Sequence, residues 1–368
     1  MVSLINLNMS GLPPLLYGTL PVLPPPHSGE AWGCLDLPGP LFQRLESRGS
    51  SHTSALPPEE GIAFYINDFL LSDAQPWHTP SALGRSGPVP ALSTPAASWQ
   101  EPDRAAFLSV FNDAMQAIRQ RQILKVVPAA NAVAQLECPP GPALHALLHP
   151  TRTTGRGHAA AWSDGRQGFA TITPEVLFEL SGNRLTTMAL AGTADAQHEA
   201  DLRKGPKLGR EHEIVVDELH RRLASLGRVS LTAREIVPLG TVRHLRTTLT
   251  VDLPEAPHGQ ALNDLIQLLH PTPALGISPR TPETLTQLNG YRRRCGVPSF
   301  FGAPCGAVWP GGAVFLVAIR GLFWRDHQLK LPVGCGLVAG SVFENEWAEL
   351  ELKRHWVRNA FELDAVHA

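Results

Sequence analysis

At 368 residues the chain exceeds what one simple core usually supports, so one composite domain or two smaller ones are the options, and either can enclose a site. Hydrophobic residues at 43% and charged residues at 17% exclude a disordered chain. With 31 basic against 33 acidic side chains and a net charge of -2, no uniformly basic face for nucleic acid is expected, while an anionic small molecule stays open as a ligand.

The 32 glycines and 34 prolines stand well above the usual share of roughly 12% and imply many turns and long loops. The cysteines at 34, 138, 295, 305 and 335 are odd in number and form no C-x-x-C pair, so reduced thiols are expected rather than a disulfide framework or a thiolate zinc site. The first thirty residues lack Lys and Arg and are broken by Pro13, Pro14, Pro21, Pro24, Pro25 and Pro26, which fits neither a signal peptide nor a membrane span. With no later apolar run of spanning length, the protein is expected in the cytoplasm.

In chain order, an N-terminal β-rich part over 1–100 ends in a stretch from Asp73 to Pro102 rich in Pro, Ser and Ala without periodicity, read as a long exposed connection. Phe107, Val110, Phe111, Ala114 and Ile118 then recur at helical spacing, with Pro102 suited to the first turn. Strands are predicted at Ile123 to Val127, Gly168 to Thr173, His244 to Leu253 and Val314 to Arg320, and helices at Gly209 to Leu226, Ala261 to Leu269 and Glu344 to Leu363. Strands arriving in groups, without regular strand–helix alternation, give an α+β class. The part over 101–368 carries the remaining motifs, and together the two make one composite domain.

Glu346, Glu349 and Lys353 lie at offsets of three and four residues, on one face of one helix. That spacing describes either a solvated face with an i,i+4 ion pair or two carboxylates placed to share a hard, oxygen-seeking cation. The glycines at 334, 336 and 340 precede the helix and allow backbone amides to approach an anion. Their G-x-G-x-x-x-G spacing near the C-terminus, with no ribose-binding acid after it, does not fit a dinucleotide loop.

With that C-terminal block, six further strings occur in order: ILKVV at Ile123 to Val127, TPEVLF at Thr173 to Phe178, ALAGT at Ala189 to Thr193, GREHEIVVDEL at Gly209 to Leu219, HPTPALG at His270 to Gly276 and VAIR at Val317 to Arg320. Together they resemble the chorismate-utilising enzymes, a family that includes isochorismate, salicylate, anthranilate and aminodeoxychorismate synthases, over about residues 105 to 360. The resemblance implies large antiparallel sheets packed as a sandwich with helices outside, chorismate as substrate, and Mg2+ as cofactor. Glu211 and Glu349 are then the implied metal ligands, with Glu346 supporting the metal through its waters. Arg320 matches the residue for the enolpyruvyl carboxylate. Gly192, Thr193, Gly334, Gly336, Lys353, His270 and Phe301 fall at the remaining substrate contacts.

Lys125 matches the family's base and Glu175 its acid. A lysine accepts a proton only as the neutral amine, which apolar flanks such as Ile123, Leu124, Val126 and Val127 favour. Read without the family, Lys125 is a strand lysine and Glu175 an acid after Pro174. Amine-adding members usually carry something other than lysine at position 125, and aminodeoxychorismate synthases a lysine where Ala191 stands. Water is therefore the expected nucleophile, isochorismate the expected product, with no amidotransferase partner and a monomeric enzyme. Salicylate formation by further loss of pyruvate is the alternative. Menaquinone, a siderophore or another pathway stays open as the destination.

The sequence departs from the family at Pro128, Ala129 and Ala130, where an Arg is usual shortly after the base, at Ile277 and Ala303, where glycines are common, and at Phe300 or Phe301, where a tyrosine is usual. Loss of activity with retained chorismate binding is the reading these changes motivate.

Overall fold

In the computed structural model of the protein, residues 21–363 are described except 25, 28–29, 38–42, 50–51, 87–97, 137–139, 141–143, 146–147, 149–156, 196, 198 and 240–241. Two ten-stranded sheets form the body. Across the first, the order is Val22–Leu23, Ala82–Ser86, Gln43–Arg48, Trp32–Leu37, His158–Ser163, Gln167–Thr173, Gly321–Arg325, Gln328–Gly334, Ala129–Gln135 and Ser98–Gln100, antiparallel except for its first pair. The second is antiparallel throughout and runs from Val229–Leu231 through Val242–Asp252, Arg184–Asp195, Val176–Ser181, Gly312–Val317, Pro304–Trp309, Ala63–Ile66 and Trp77–Thr79 to His52–Ser54; Glu235–Leu239 also pairs with Val242–Asp252.

Phe169 and Phe323 of the first sheet share one core with Phe178, Phe315 and Trp77 of the second, the expected arrangement of facing sheets. Six helices occur among the described residues: α1 (Arg104–Arg119), α2 (Glu199–Lys204), α3 (Pro206–Leu223), α4 (Gln260–Leu269), α5 (Pro282–Arg294) and α6 (Phe343–Ala360). Val110 and Ala114 of α1 and Leu350 of α6 pack with Ala132, Leu331 and Val333 of the first sheet. Val215 and Leu219 of α3 close on the second sheet's side. The α+β sandwich with outer helices is thus the fold, and none of the six helices is long and apolar enough to cross a membrane.

The stretch from Asp73 to Pro102 is not one exposed connection. Trp77–Thr79, Ala82–Ser86 and Ser98–Gln100 are strands, while residues 87–97 lie outside the described residues. Trp77 is fully buried, its ring edge-on to Tyr65 and Phe315 and its Nε1 donating to Asn263 Oδ1 at 3.0 Å. Short strands among prolines show no period-2 pattern, and only their partners declare them. Asp103 rather than Pro102 opens α1, its carboxylate accepting from Ala106 N at 2.9 Å, as an N-cap does. Cys305 and Cys335 are buried free thiols and Cys295 is a half-buried one; Cys34 is buried, and Cys138 lies outside the described residues.

Pro128 marks where the chain leaves a third, three-stranded sheet and enters the first large one. Its missing N–H therefore costs no ladder bond, and its carbonyl accepts from Cys335 N at 3.3 Å.

Candidate active site

The small sheet joins the ILKVV string to the residues that follow HPTPALG and to the glycine segment before the C-terminal helix. Lys125–Val126 is its central strand, between Ile277–Ser278 and Leu337–Val338, with Lys125 opposite both Ser278 and Val338. Leu124 N and Val127 N extend the pairing to the carbonyls of Ser278 and Gly276 at 2.7 and 2.9 Å. Each strand is two residues long, so hydrophobic pattern could not set this register; backbone hydrogen bonding does.

Lys125 has no exposed surface, and its Nζ lies 3.0 Å from Glu211 Oε1. The two charges attract, but Nζ points off the direction a hydrogen bond needs and makes none. Gly336 creates room for the pair. A Cβ there would overlap Glu211 Oε1 and come within 3.0 Å of Lys125 Cε, so the close approach requires glycine.

Against this junction lies a cavity of about 580 Å3, counting space continuous with solvent. Glu175, Glu211, Arg320 and Lys353 bring charge to its wall. Gly192, Thr193, Phe301, Gly334 and Gly336 line it as well. Lys125, Glu346 and Glu349 stand behind the wall, and His270 is elsewhere: its Nε2 donates to the Phe69 carbonyl at 2.8 Å, and the residue borders a separate cleft with Phe69 and Arg280. Burial brings His270 down to about 3, against the pull of that carbonyl, which leaves the ring neutral and structural.

Glu175 is buried just before Val176–Ser181, beside a register shift between Val176 and Phe178. Burial raises it to about 7, opposed by the Thr272 hydroxyl and by Lys125 and Lys353. Thr272 Oγ1 donates to Glu175 Oε1 at 3.1 Å. The loop bearing Thr272 is tied down by α3, since Arg222 Nη1 donates to the carbonyls of Leu269 and Pro271 at 3.0 Å each, and by Arg280, which donates to that of His270.

In ALAGT, Gly192 adopts φ 73° where the ladder with Val242–Asp252 shifts register. Such a bulge re-aims the neighbouring side chain, here that of Thr193, whose Oγ1 is 3.2 Å from His244 Nδ1. Arg320 lies past the end of its strand at φ 56°, a conformation that costs a non-glycine residue energy and recurs where function demands it. Its Nη2 donates to His244 Nε2 at 3.0 Å and its guanidinium stands 5.3 Å from the Trp356 ring centroid. Burial lowers Arg320 to about 10, with Glu349 pulling upward. Burial, and then Arg320, hold His244 well below the usual histidine range. Neutral His244 therefore accepts from Arg320 at Nε2 and keeps its proton on Nδ1, on the Thr193 side.

Each carboxylate that the resemblance assigns to a metal is engaged by a lysine. Glu211 faces Lys125 at 3.0 Å, Glu346 faces Lys207 at 2.5 Å, and Glu349 faces Lys353 at 2.7 Å. Lys353 Nζ also donates to the Gly334 carbonyl at 2.7 Å. No three acidic, His or Cys side chains among the described residues converge as a ready cation site. The donors nevertheless suit a hard cation, because Glu346 is fully buried with an Oε2 that lacks any partner. Burial raises Glu346, and neighbouring Glu349 raises it further, as crowded carboxylates short of positive charge do.

Sequence reasoning missed Lys207, His244 and Thr272. Lys207 precedes Glu211 by four residues on α3 and Thr272 lies inside HPTPALG, so both were within quoted neighbourhoods. His244 had no local signal beyond heading a predicted strand.

The profile of the family described as chorismate binding enzyme matches residues 80–362, and the chain belongs to that family. More particularly, the isochorismate synthase MenF of Pasteurella multocida is 28% identical over 271 residues, 69% of this chain and 61% of that protein. The salicylate biosynthesis isochorismate synthase of Pseudomonas aeruginosa is 31% identical over 324 residues, 83% and 64% of the two chains. The chain thus spans a little over three fifths of the length of these relatives. The fold is shared with MenF from Escherichia coli (TM-score 0.72, 17% identity, 94% of this chain and 90% of that one) and with anthranilate synthase component I from Streptococcus pneumoniae (0.64, 16%, 95% and 97%).

Proposed function

We propose that the protein converts chorismate to isochorismate with Mg2+ as cofactor. Glu175 carries this reading: an enclosed carboxylic acid on the cavity wall, raised to about 7, holds a proton near neutral pH for a departing hydroxyl. The oxygen of a water bonds to one ring carbon and its proton passes to the Lys125 amine, which accepts it only in the neutral form, reached once Glu211 no longer stabilises the ammonium. The ring double bonds shift, the C–O bond to the ring hydroxyl breaks, and the hydroxyl leaves as water with the proton of Glu175. One water enters and one leaves, so the product is an isomer.

Glu211 now pairs with Lys125; serving as a metal ligand instead, it releases the amine toward the cavity. Mg2+ held by Glu211 and Glu349, with Glu346 in support, would supply positive charge for the ring carboxylate of chorismate. Arg320, held by His244 and the Trp356 face, offers a planar fork to the enolpyruvyl carboxylate. Gly192, Thr193, Gly334, Gly336 and Lys353 complete the anion contacts, and Phe301 supplies an apolar wall. His270 serves by fixing the Thr272 loop. The enzyme acts as a monomer without an amidotransferase, because a lysine serving water leaves no role for supplied ammonia.

Incubation with chorismate and Mg2+, followed by NMR of the products, tests the reading. Isochorismate alone is expected; salicylate with pyruvate, or no turnover with binding retained, overturns it. In the Lys125→Ala variant turnover should fall by roughly 10²–10⁴-fold, the range for loss of a general base, with chorismate binding kept. Normal turnover in that variant removes Lys125 from the mechanism.

A further inference from the structure

Lys207 has no part in the chemistry proposed for chorismate, yet it faces the most enclosed of the three carboxylates expected at the metal. It opens the first turn of α3, four residues before Glu211, and its side chain is 29% exposed while that of Glu346 is 1% exposed. Lys207 Nζ lies 2.5 Å from Glu346 Oε1, and Glu349 and Glu211 also act on the ammonium through their charge. One ammonium therefore stands in the combined field of all three carboxylates expected at the metal. A second observation is independent of this field: Glu346 Oε2 is buried and makes no hydrogen bond, although Ser341 lies close enough to temper its upward shift.

We propose that Lys207 is the internal competitor of the metal: its ammonium neutralises Glu346 while no cation is bound, and it must leave that carboxylate before a divalent cation can use it. This rests on the reading of Glu211, Glu346 and Glu349 as the metal site. A buried carboxylate without a partner is costly, so a lysine placed at the rim keeps the empty site folded. The same lysine lowers the site's affinity, because two cations cannot share the Glu346 carboxylate without repulsion. Its partial exposure gives the displaced side chain a route into solvent.

Mn2+ binding to the 368-residue chain without chorismate, followed by electron paramagnetic resonance of the free ion, tests the exchange. Lys207→Gln is expected to bind Mn2+ tighter than wild type by roughly tenfold or more, and Lys207→Arg to return toward wild-type affinity. Equal or weaker binding in Lys207→Gln overturns the proposal while leaving the metal reading intact. Absence of binding in both proteins overturns the metal reading and the proposal with it. Because Lys207→Gln leaves Glu346 without its partner and the variant could fail to fold, a wild-type measurement stands beside it. Amine labelling read by mass spectrometry should show Lys207 modified faster once Mn2+ is added, and an unchanged rate counts against the exchange.

Discussion

Glu175 and Thr272 show how one hydroxyl adjusts an acid. Enclosure favours the neutral carboxylic acid, whereas the Thr272 hydroxyl donates to the charged form and draws the value back to about 7. If Glu175 delivers the proton, the active form is the protonated one, so kcat/KM should fall as pH rises through about 7. Replacing Thr272 by valine removes a donor to the carboxylate, raises the folded value further, and moves this alkaline limb to higher pH. A pH–rate profile of Thr272→Val that superimposes on wild type, or shifts downward, is incompatible with this account. The limb itself should vanish in Glu175→Gln, whose remaining rate has no titrating acid.

At the scale of elements, the site depends on short strands and irregular backbone more than on regular structure. The three two-residue strands bring residues 125, 278 and 338 side by side, and the glycine at 336 lets the Glu211 carboxylate reach Lys125. Gly336→Ala would push a methyl group into Glu211 Oε1. Since displacing a catalytic group by about 1 Å can cost roughly 10²-fold, kcat should fall by about that factor while the circular dichroism spectrum stays that of wild type. Full activity in this variant would show that the pair tolerates separation. The Gly192 bulge works differently, turning Thr193 to His244 and so linking ALAGT to the histidine that holds Arg320.

For the whole molecule, the division at residue 100 is one of sequence texture only. Trp32–Leu37 is hydrogen-bonded to His158–Ser163, and Ala63–Ile66 to Pro304–Trp309, so strands from before residue 100 are interior members of both large sheets. Residues 101–368 alone would expose those two edges and the part of the shared core that Leu35, Leu45, Phe64, Tyr65 and Trp77 cover. That fragment is expected to show no cooperative thermal transition by calorimetry. A sharp transition near that of the full chain would mean that the later part folds by itself.

Much of the site was legible in the chain because its chemistry is local. Glu346, Glu349 and Lys353 share a helical face by spacing alone, and the Glu349–Lys353 pair forms as an i,i+4 contact should. The strings around Lys125, Glu175, Gly192, Glu211 and Arg320 carried the family, and the cavity gathers most of the residues they named. Spacing could not tell that each expected metal ligand already faces a lysine, that His270 turns away to Phe69, or that Trp77 belongs to a sheet. Those facts concern atoms brought together from distant parts of the chain: 125 with 211, 207 with 346, 244 with 320. Sequence by itself determined four of the helices, the fold class and which functional groups are on offer to a site. Tertiary structure decided which of them touch, because strand register and helix placement set distances that no periodicity along the chain encodes.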